Sequence, residues 1–253
     1  MNRMELQTLP PSAIDALHAL VARFGLPSES TAPLEGLAAL LAFEPQAPTA
    51  VRDPQRVVED HIADSLVALD LDVVRNAKRV VDVGSGAGLP GLPLAIALPW
   101  TRFTLLESNQ RKALFLSEAS QRCAPSNVEV VAQRAESWEA GFDRHDLVTV
   151  RAVADLDVLA EYAAPLLRVG GALVAWRGLR DSQAEARAEQ AADVLGLRVM
   201  PPLKVMPYPR ARQRHLHVIV KVTETPARFP RRPGVAANRP LGGSASHGVW
   251  RER

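Results

Sequence analysis

One stretch constrains the fold more than any other: Arg79-Val-Val-Asp82-Val-Gly84-Ser-Gly86-Ala-Gly88-Leu89-Pro90-Gly91. Val80 to Val83 reads as a short buried strand. Three glycines follow at alternate positions, and the apolar run Leu92 to Leu98 suits a helix. Strand, glycine turn and helix in that order make a cradle for a nucleotide cofactor. Glycine has no Cβ, so the turn can be tight and a ligand can lie against bare backbone. The helix start offers unpaired N–H groups. Pro90 and Pro93 are compatible with this, because a first helical turn does not need their N–H. The bland alternative, a strand-turn-helix with no ligand, leaves three costly glycines unused.

Glycine spacing alone also fits a dinucleotide, since Gly86-Ala-Gly88-Leu-Pro-Gly91 satisfies G-x-G-x-x-G. Two features tilt the reading. Asp82 stands two residues before the first glycine, where a pyrophosphate gains nothing from a carboxylate and a cationic ligand does. Arg102 to Glu107 reads as a second strand ending in an acid, 25 residues after Asp82. Such an acid can accept both hydroxyls of a ribose, in NAD and in S-adenosylmethionine alike. The combination Val-Asp-Val-Gly-x-Gly-x-Gly plus Glu107 resembles the class I S-adenosylmethionine-dependent methyltransferases.

The rest of the chain is consistent with that architecture. Apolar residues recur at helical spacing over residues 12–43, with a break at Gly25-Leu-Pro27, and again from Gln55 to Leu71. These helices predict an N-terminal cap over residues 1–75. From Arg79 strands alternate with helices: strands at 80–83, 102–107, 128–132, 146–150 and 172–176, helices at 90–98, 109–123, 155–167 and 182–195. Gly170-Gly171 turns the chain into the fifth strand. His215 to Val222 reads as a last strand, a hairpin partner of the run near Arg198 to Met200. The pattern predicts an α/β, Rossmann-like domain over 76–223, with a mostly parallel seven-stranded sheet and helices on both faces. Ligands in such sheets sit beyond the carboxyl ends of the strands. Gly84, Glu107, Ala135-Glu136, Arg151 and Arg177 all fall there.

Charge is split along the chain. Residues 198–253 carry 12 Lys and Arg against two acids, although the whole chain has a net charge of only +2. A polyanion would be drawn to this segment, whose end, 224–253, reads as a basic tail. The alternative is a merely solubilising tail. The single cysteine, Cys123, excludes an internal disulfide and a cysteine-rich zinc site. It also excludes a paired-cysteine route to methylated pyrimidine carbon. On the third helix Glu59, Asp60, His61, Asp64 and Ser65 form a polar cluster. One histidine with nearby acids is a thin ligand set, so no metal is expected and a solvated or hydrogen-bonded face is the simpler reading. No apolar run reaches the ~18 residues of a membrane span, and acidic Glu5 with no apolar core behind it argues against a signal peptide. A cytoplasmic protein is the expectation.

Asp82 to Gly91, Arg151-Ala-Val-Ala154 and His61-Ile-Ala-Asp-Ser-Leu66 resemble the 16S rRNA guanine-N(7) methyltransferase G family, also called glucose-inhibited division protein B. Tyr208-Pro-Arg, Arg214-His-Leu and Phe229 to Leu241 are similar to its C-terminal motifs. The chain departs from the pattern at Ala47-Pro-Thr49, at Arg177-Gly178 and in an extension from Gly242. The resemblance implies S-adenosylmethionine contacts at Gly84, Leu89, Ala135, Glu136 and Arg151. To these the residues themselves add Asp82 and Gly84 at the methionine end, Gly86 and Gly88 beneath the cofactor, and Glu107 on the ribose. Arg151 is the expected positioning residue between cofactor and substrate. Arg177, Arg210, Arg212, Arg214, Arg231 and Arg232 are the expected phosphate contacts, which position RNA without reading its sequence. The implied substrate is small-subunit ribosomal RNA, free or in the 30S particle. No general base is expected, because guanine N7 carries a lone pair and no proton. Rival readings are a small-molecule methyltransferase, a NAD-linked oxidoreductase and a non-catalytic RNA-binding protein.

Overall fold

The computed structural model describes residues 8–123 and 126–243. Glu5 and most of the extension lie outside the described residues. Two breaks marked by glycine or proline separate the N-terminal helices. α1 (Pro11–Phe24) stops at Gly25, which takes the left-handed conformation, φ 61°, that a helix end requires. After one 3-10 turn come α2 (Thr31–Phe43) and an irregular helix. That helix starts as α3 (Pro54–Arg56), with the Asp53 carboxylate capping the Arg56 N–H. It then widens to π geometry over Val57–Ala63 and tightens through α4 (Asp64–Leu66) into a 3-10 turn, Val67–Asp70. The periodic pattern predicts the helix but not its π segment, where one turn takes in an extra residue. α5 (Asp72–Arg75) leads into the sheet.

The sheet has eight strands where the sequence suggests seven. They are β1 (Arg79–Val83), β2 (Arg102–Leu106), β3 (Val128–Val131), β4 (His145–Arg151), β5 (Leu167–Arg177), β6 (Leu197–Val199), β7 (Leu203–Lys204) and β8 (His215–Lys221). The order is β3-β2-β1-β4-β5-β8-β6, and the two-residue β7, too short to show a period, pairs with β8. β1 to β5 run parallel; β8 is antiparallel to β5, β6 and β7. α6 (Gly91–Ala97), α7 (Gln110–Cys123), α8 (Leu156–Ala163) and α9 (Ser182–Leu195) complete the alternation. The helix expected to reach 167 stops at Ala163, and β5 begins at Leu167, before the glycine pair. Gly170, at φ 86°, lies where the register with β4 shifts, so the glycines kink a strand rather than precede it.

Each face of the sheet has its own core. Val80, Phe103, Leu105, Leu147 and Val174 pack with the N-terminal helices, α6 and α7. Val81, Val83, Val148, Val150 and Leu173 pack with α8 and α9. Strand alternation explains the split, since successive side chains point to opposite faces. The described part of the tail, through α10 (Val235–Asn238), folds back on the second face, where Phe229 is buried. Among the described residues no helix is long and apolar enough to cross a membrane.

Candidate active site

The strand order reverses between β1 and β4, and the glycine loop leaves β1 at that switch point. Gly84, Gly86 and Gly88 all have positive φ, 71°, 58° and 89°. At Gly84 a Cβ would stand 2.6 Å from a Val153 methyl, whereas at Gly86 it would meet nothing closer than a carbonyl at 3.8 Å. The loop therefore presents bare backbone to open space at Gly86, the feature a cofactor cradle needs. Glu107 braces this loop from β2: its Oε2 accepts from the Gly86 N–H at 3.0 Å and its Oε1 from the Asn109 N–H at 2.8 Å. A carboxylate has about four acceptor sites, so capacity for two hydroxyls remains. Beside it Val83, Gly84, Ala135, Glu136, Val153 and Tyr162 line a cleft of about 120 Å³ at the ends of β1 to β4. Sequence reasoning missed Tyr162, which carries no motif, and read Val153 only as part of Arg151-Ala-Val-Ala154.

Asp82 needs a correction. It is fully buried, and its oxygens accept from the Thr149 hydroxyl at 2.8 Å and the Gly91 N–H at 3.2 Å. It ties the end of the glycine loop to β4 from beneath and presents no surface to a methionine end. Burial pushes its pKa up to about 6.

Arg151 ends β4, and the next residue, Ala152, holds an unusual φ of 57°. The Arg151 guanidinium donates to Asp64 Oδ2 at 3.0 Å and to the Asp60 carbonyl at 3.2 Å. The other Asp64 oxygen accepts from Arg214 at 3.1 Å, and the Trp176 indole N–H donates to the Asp64 carbonyl at 2.7 Å. Asp60 accepts from the Tyr208 hydroxyl at 2.5 Å and from Arg56 at 2.9 Å. Burial opposes its ionisation, but these two partners outweigh burial and hold the carboxyl below the usual range. The polar face of the third helix is thus a buried hub facing the ends of β4, β5 and β8. His61 lies in it, 9% exposed, with Nε2 2.7 Å from the Thr49 hydroxyl and no partner on Nδ1. Burial, with Arg151 adding to it, lowers its pKa to about 4, so it is neutral near pH 7. Tyr208 was legible only as part of a motif.

The six arginines do not form one open patch. Arg177 donates to the Ala154 carbonyl and pairs with Asp155 at 3.5 Å, and Arg210 pairs with Glu59 at 2.7 Å. Arg214 holds Asp64. Arg231 makes a two-pronged ion pair with Glu161, which is 1% exposed. Arg231 is therefore a tail anchor, not a free phosphate ligand. Arg212 and Arg232 are exposed and have no carboxylate partner among the described residues. Glu136, placed at the adenine edge by the sequence, lines the cleft and also accepts from the tail's Gly234 N–H at 3.1 Å.

Sheet order, glycine loop and rim acid together define a class I S-adenosylmethionine-dependent methyltransferase. A solved S-adenosylmethionine-dependent methyltransferase from Aquifex aeolicus shares the fold, with a TM-score of 0.52 at 14% identity over 66% of this chain and 93% of that one. Residues 46–216 match the family described as rRNA small subunit methyltransferase G. The ribosomal RNA small subunit methyltransferase G of Rubrobacter xylanophilus is 44% identical over 222 residues, 85% of each chain. Its namesake in Chloroflexus aggregans is 40% identical over 196 residues, 76% of this chain and 82% of that one. The chain belongs to the rRNA small subunit methyltransferase G family, GidB.

Proposed function

We propose that this protein methylates N7 of a guanine in 16S ribosomal RNA. The observation that carries the reading is Arg151, clamped by the third helix at the carboxyl end of β4, beside the glycine loop. Enzymes acting on exocyclic amino groups resemble one another in placing Asp/Asn-Pro-Pro-aromatic there, and this chain reads Arg151-Ala-Val-Ala154. S-adenosylmethionine, when bound, supplies a sulfonium-activated methyl group. Gly84, Gly86, Gly88 and Leu89 would support it from below, Glu107 would take the ribose, and Ala135 with Glu136 the adenine edge. Arg151 would fix the target base, and Asp82 acts only by holding the loop. Guanine N7 has no proton to lose, so the site's work is alignment, which is worth effective molarities up to ~10⁵ M or more. Arg212 and Arg232 are the phosphate contacts free to act. Arg210, exposed on Glu59, would exchange its carboxylate for phosphate, whereas Arg214 keeps its bond to the buried Asp64. The base must leave its stack to reach the rim.

The test is methyl transfer from isotopically labelled S-adenosylmethionine to small ribosomal subunits and to protein-free 16S RNA, with digestion to nucleosides. Labelled 7-methylguanosine is the expected product. Label on an amino nitrogen, or none on RNA while a small acceptor is methylated, overturns the reading.

A further inference from the structure

At the opposite end of the sheet from the glycine loop, a cleft of about 580 Å³ opens beneath the N-terminal ends of β1, β2 and β3. The chain from β3 to β4 carries two single 3-10 turns, Ala135–Ser137 and Glu139–Gly141, where a doubly wound sheet usually has a helix. Arg79, Trp100, Arg102, Thr104, Asn127 and Glu129 line the cleft.

Three features of this cleft are unexplained by folding. Arg79 and Arg102 are direct neighbours in the β1–β2 register, so two like charges stand side by side on one face. Both are exposed, and neither side chain has a carboxylate partner among the described residues. Asp146, next to His145 at the start of β4, is taken by Arg168 and by the backbone N–H groups of Lys78 and Arg79. Trp100 is 58% exposed, yet its loop is pinned. The Asn127 amide donates to the carbonyls of Ala95, Leu98 and Thr101, and the Thr101 hydroxyl to that of Ala77. A rigid loop displays an indole to water beside two uncompensated guanidiniums. Glu129 is the one acid on the cleft wall, and Lys78 and Arg144 add positive charge just before β1 and β4.

We propose that this cleft is a second RNA contact, in which Arg79 and Arg102 hold backbone phosphate and the Trp100 indole stacks an unpaired base. A phosphate between the two arginines relieves their repulsion. An aromatic platform beside a cationic track is how single-stranded segments are held without sequence reading. A five-residue strand separates the two ends of the sheet by roughly 17 Å, so one folded RNA can reach both. The inference rests on the reading of the chain as an RNA methyltransferase.

The experiment compares wild type with Arg79→Gln/Arg102→Gln, Trp100→Ala and Trp100→Phe, each checked for unchanged S-adenosylmethionine binding by calorimetry. Affinity for protein-free 16S RNA is measured across a salt series, and methyl transfer is measured on the same RNA. The double variant should raise KM with kcat unchanged and flatten the salt slope by roughly one to two units. Trp100→Ala should weaken binding by roughly tenfold, and Trp100→Phe should restore most of it. Equal affinities and slopes in all four proteins overturn the proposal. Weakened binding to the intact subunit but not to bare RNA overturns it too, and assigns the surface to a ribosomal protein. Wild type that binds RNA through this cleft but methylates none would instead defeat the proposed function.

Discussion

Burial acts in opposite senses on two side chains of the site. It raises Asp82 from 3.8 to about 6 and lowers His61 from 6.5 to about 4. Folded Asp82 keeps a proton that the unfolded chain has released, so its contribution to stability is present at low pH and is lost as pH rises toward 6. Folded His61 stays neutral where the unfolded chain is charged, so its contribution is present above 6.5 and is lost as pH falls toward 4. Between pH 4.5 and 6 each amounts to about 1.5 kcal/mol, with opposite sign. The expected outcome is that Asp82→Asn makes stability climb more steeply with pH than in wild type, and His61→Gln less steeply. Urea denaturation at those two pH values measures both. Parallel profiles in all three proteins would show that neither group titrates as its burial requires.

The third helix works as an element because Asp60 and Asp64 face the strand ends. Its π segment and α4 put Glu59, Asp60 and Asp64 against Arg210, Tyr208, Arg151 and Arg214. Asp60 and Asp64, four residues apart, share a face as on any helix, and the π segment that runs up to Asp64 is of the kind that recurs at functional sites. Asp64 is the centre of this clamp, its side chain 7% exposed and paired with two cations. Removing one partner of a buried pair leaves the others uncompensated, at about 3–5 kcal/mol. Asp64→Ala should therefore lower the melting temperature by roughly 6–15 °C and reduce methyl transfer more than it reduces cofactor affinity. Scanning calorimetry and kinetics on the same preparation read both. A variant as stable and active as wild type would reduce the hub to a surface contact.

At the scale of the whole molecule, the tail closes over the second face of the sheet. Phe229 enters the core of that face, Arg231 pairs with Glu161, and the Gly234 N–H reaches Glu136 in the cleft at the ends of β1 to β4. Adjacent arginines consequently have different jobs. Arg231→Ala strands a carboxylate that is 1% exposed, a loss of about 3–5 kcal/mol. Arg232→Ala, at an exposed position, should change stability by less than about 0.5 kcal/mol while weakening RNA binding at low salt. Denaturation midpoints and RNA affinities of the two variants separate these roles. Two stable variants with equal RNA defects would return the tail to a simple basic patch.

What the sequence by itself determined is whatever depends on neighbours along the chain. The glycine loop, the strand–helix alternation and the antiparallel β8 were all legible, because strand and helix periods and positive-φ glycines leave a local mark. In a parallel sheet every strand end falls on one side, so Glu107, Ala135 and Arg151 had to lie at the same end of the sheet. Only the tertiary structure decided what each charged group does. The partners of Arg210 and Arg214 lie 151 and 150 residues away, and a run of arginines looks the same whether its charges are open or neutralised. Asp82 reads as a ligand until its burial is seen. The exposure of Trp100, in the loop before β2, is likewise invisible in the chain, because an indole reads the same whether it is buried or displayed. Charge is a property of a residue, but its availability depends on everything packed around it, and no local pattern in the chain encodes that.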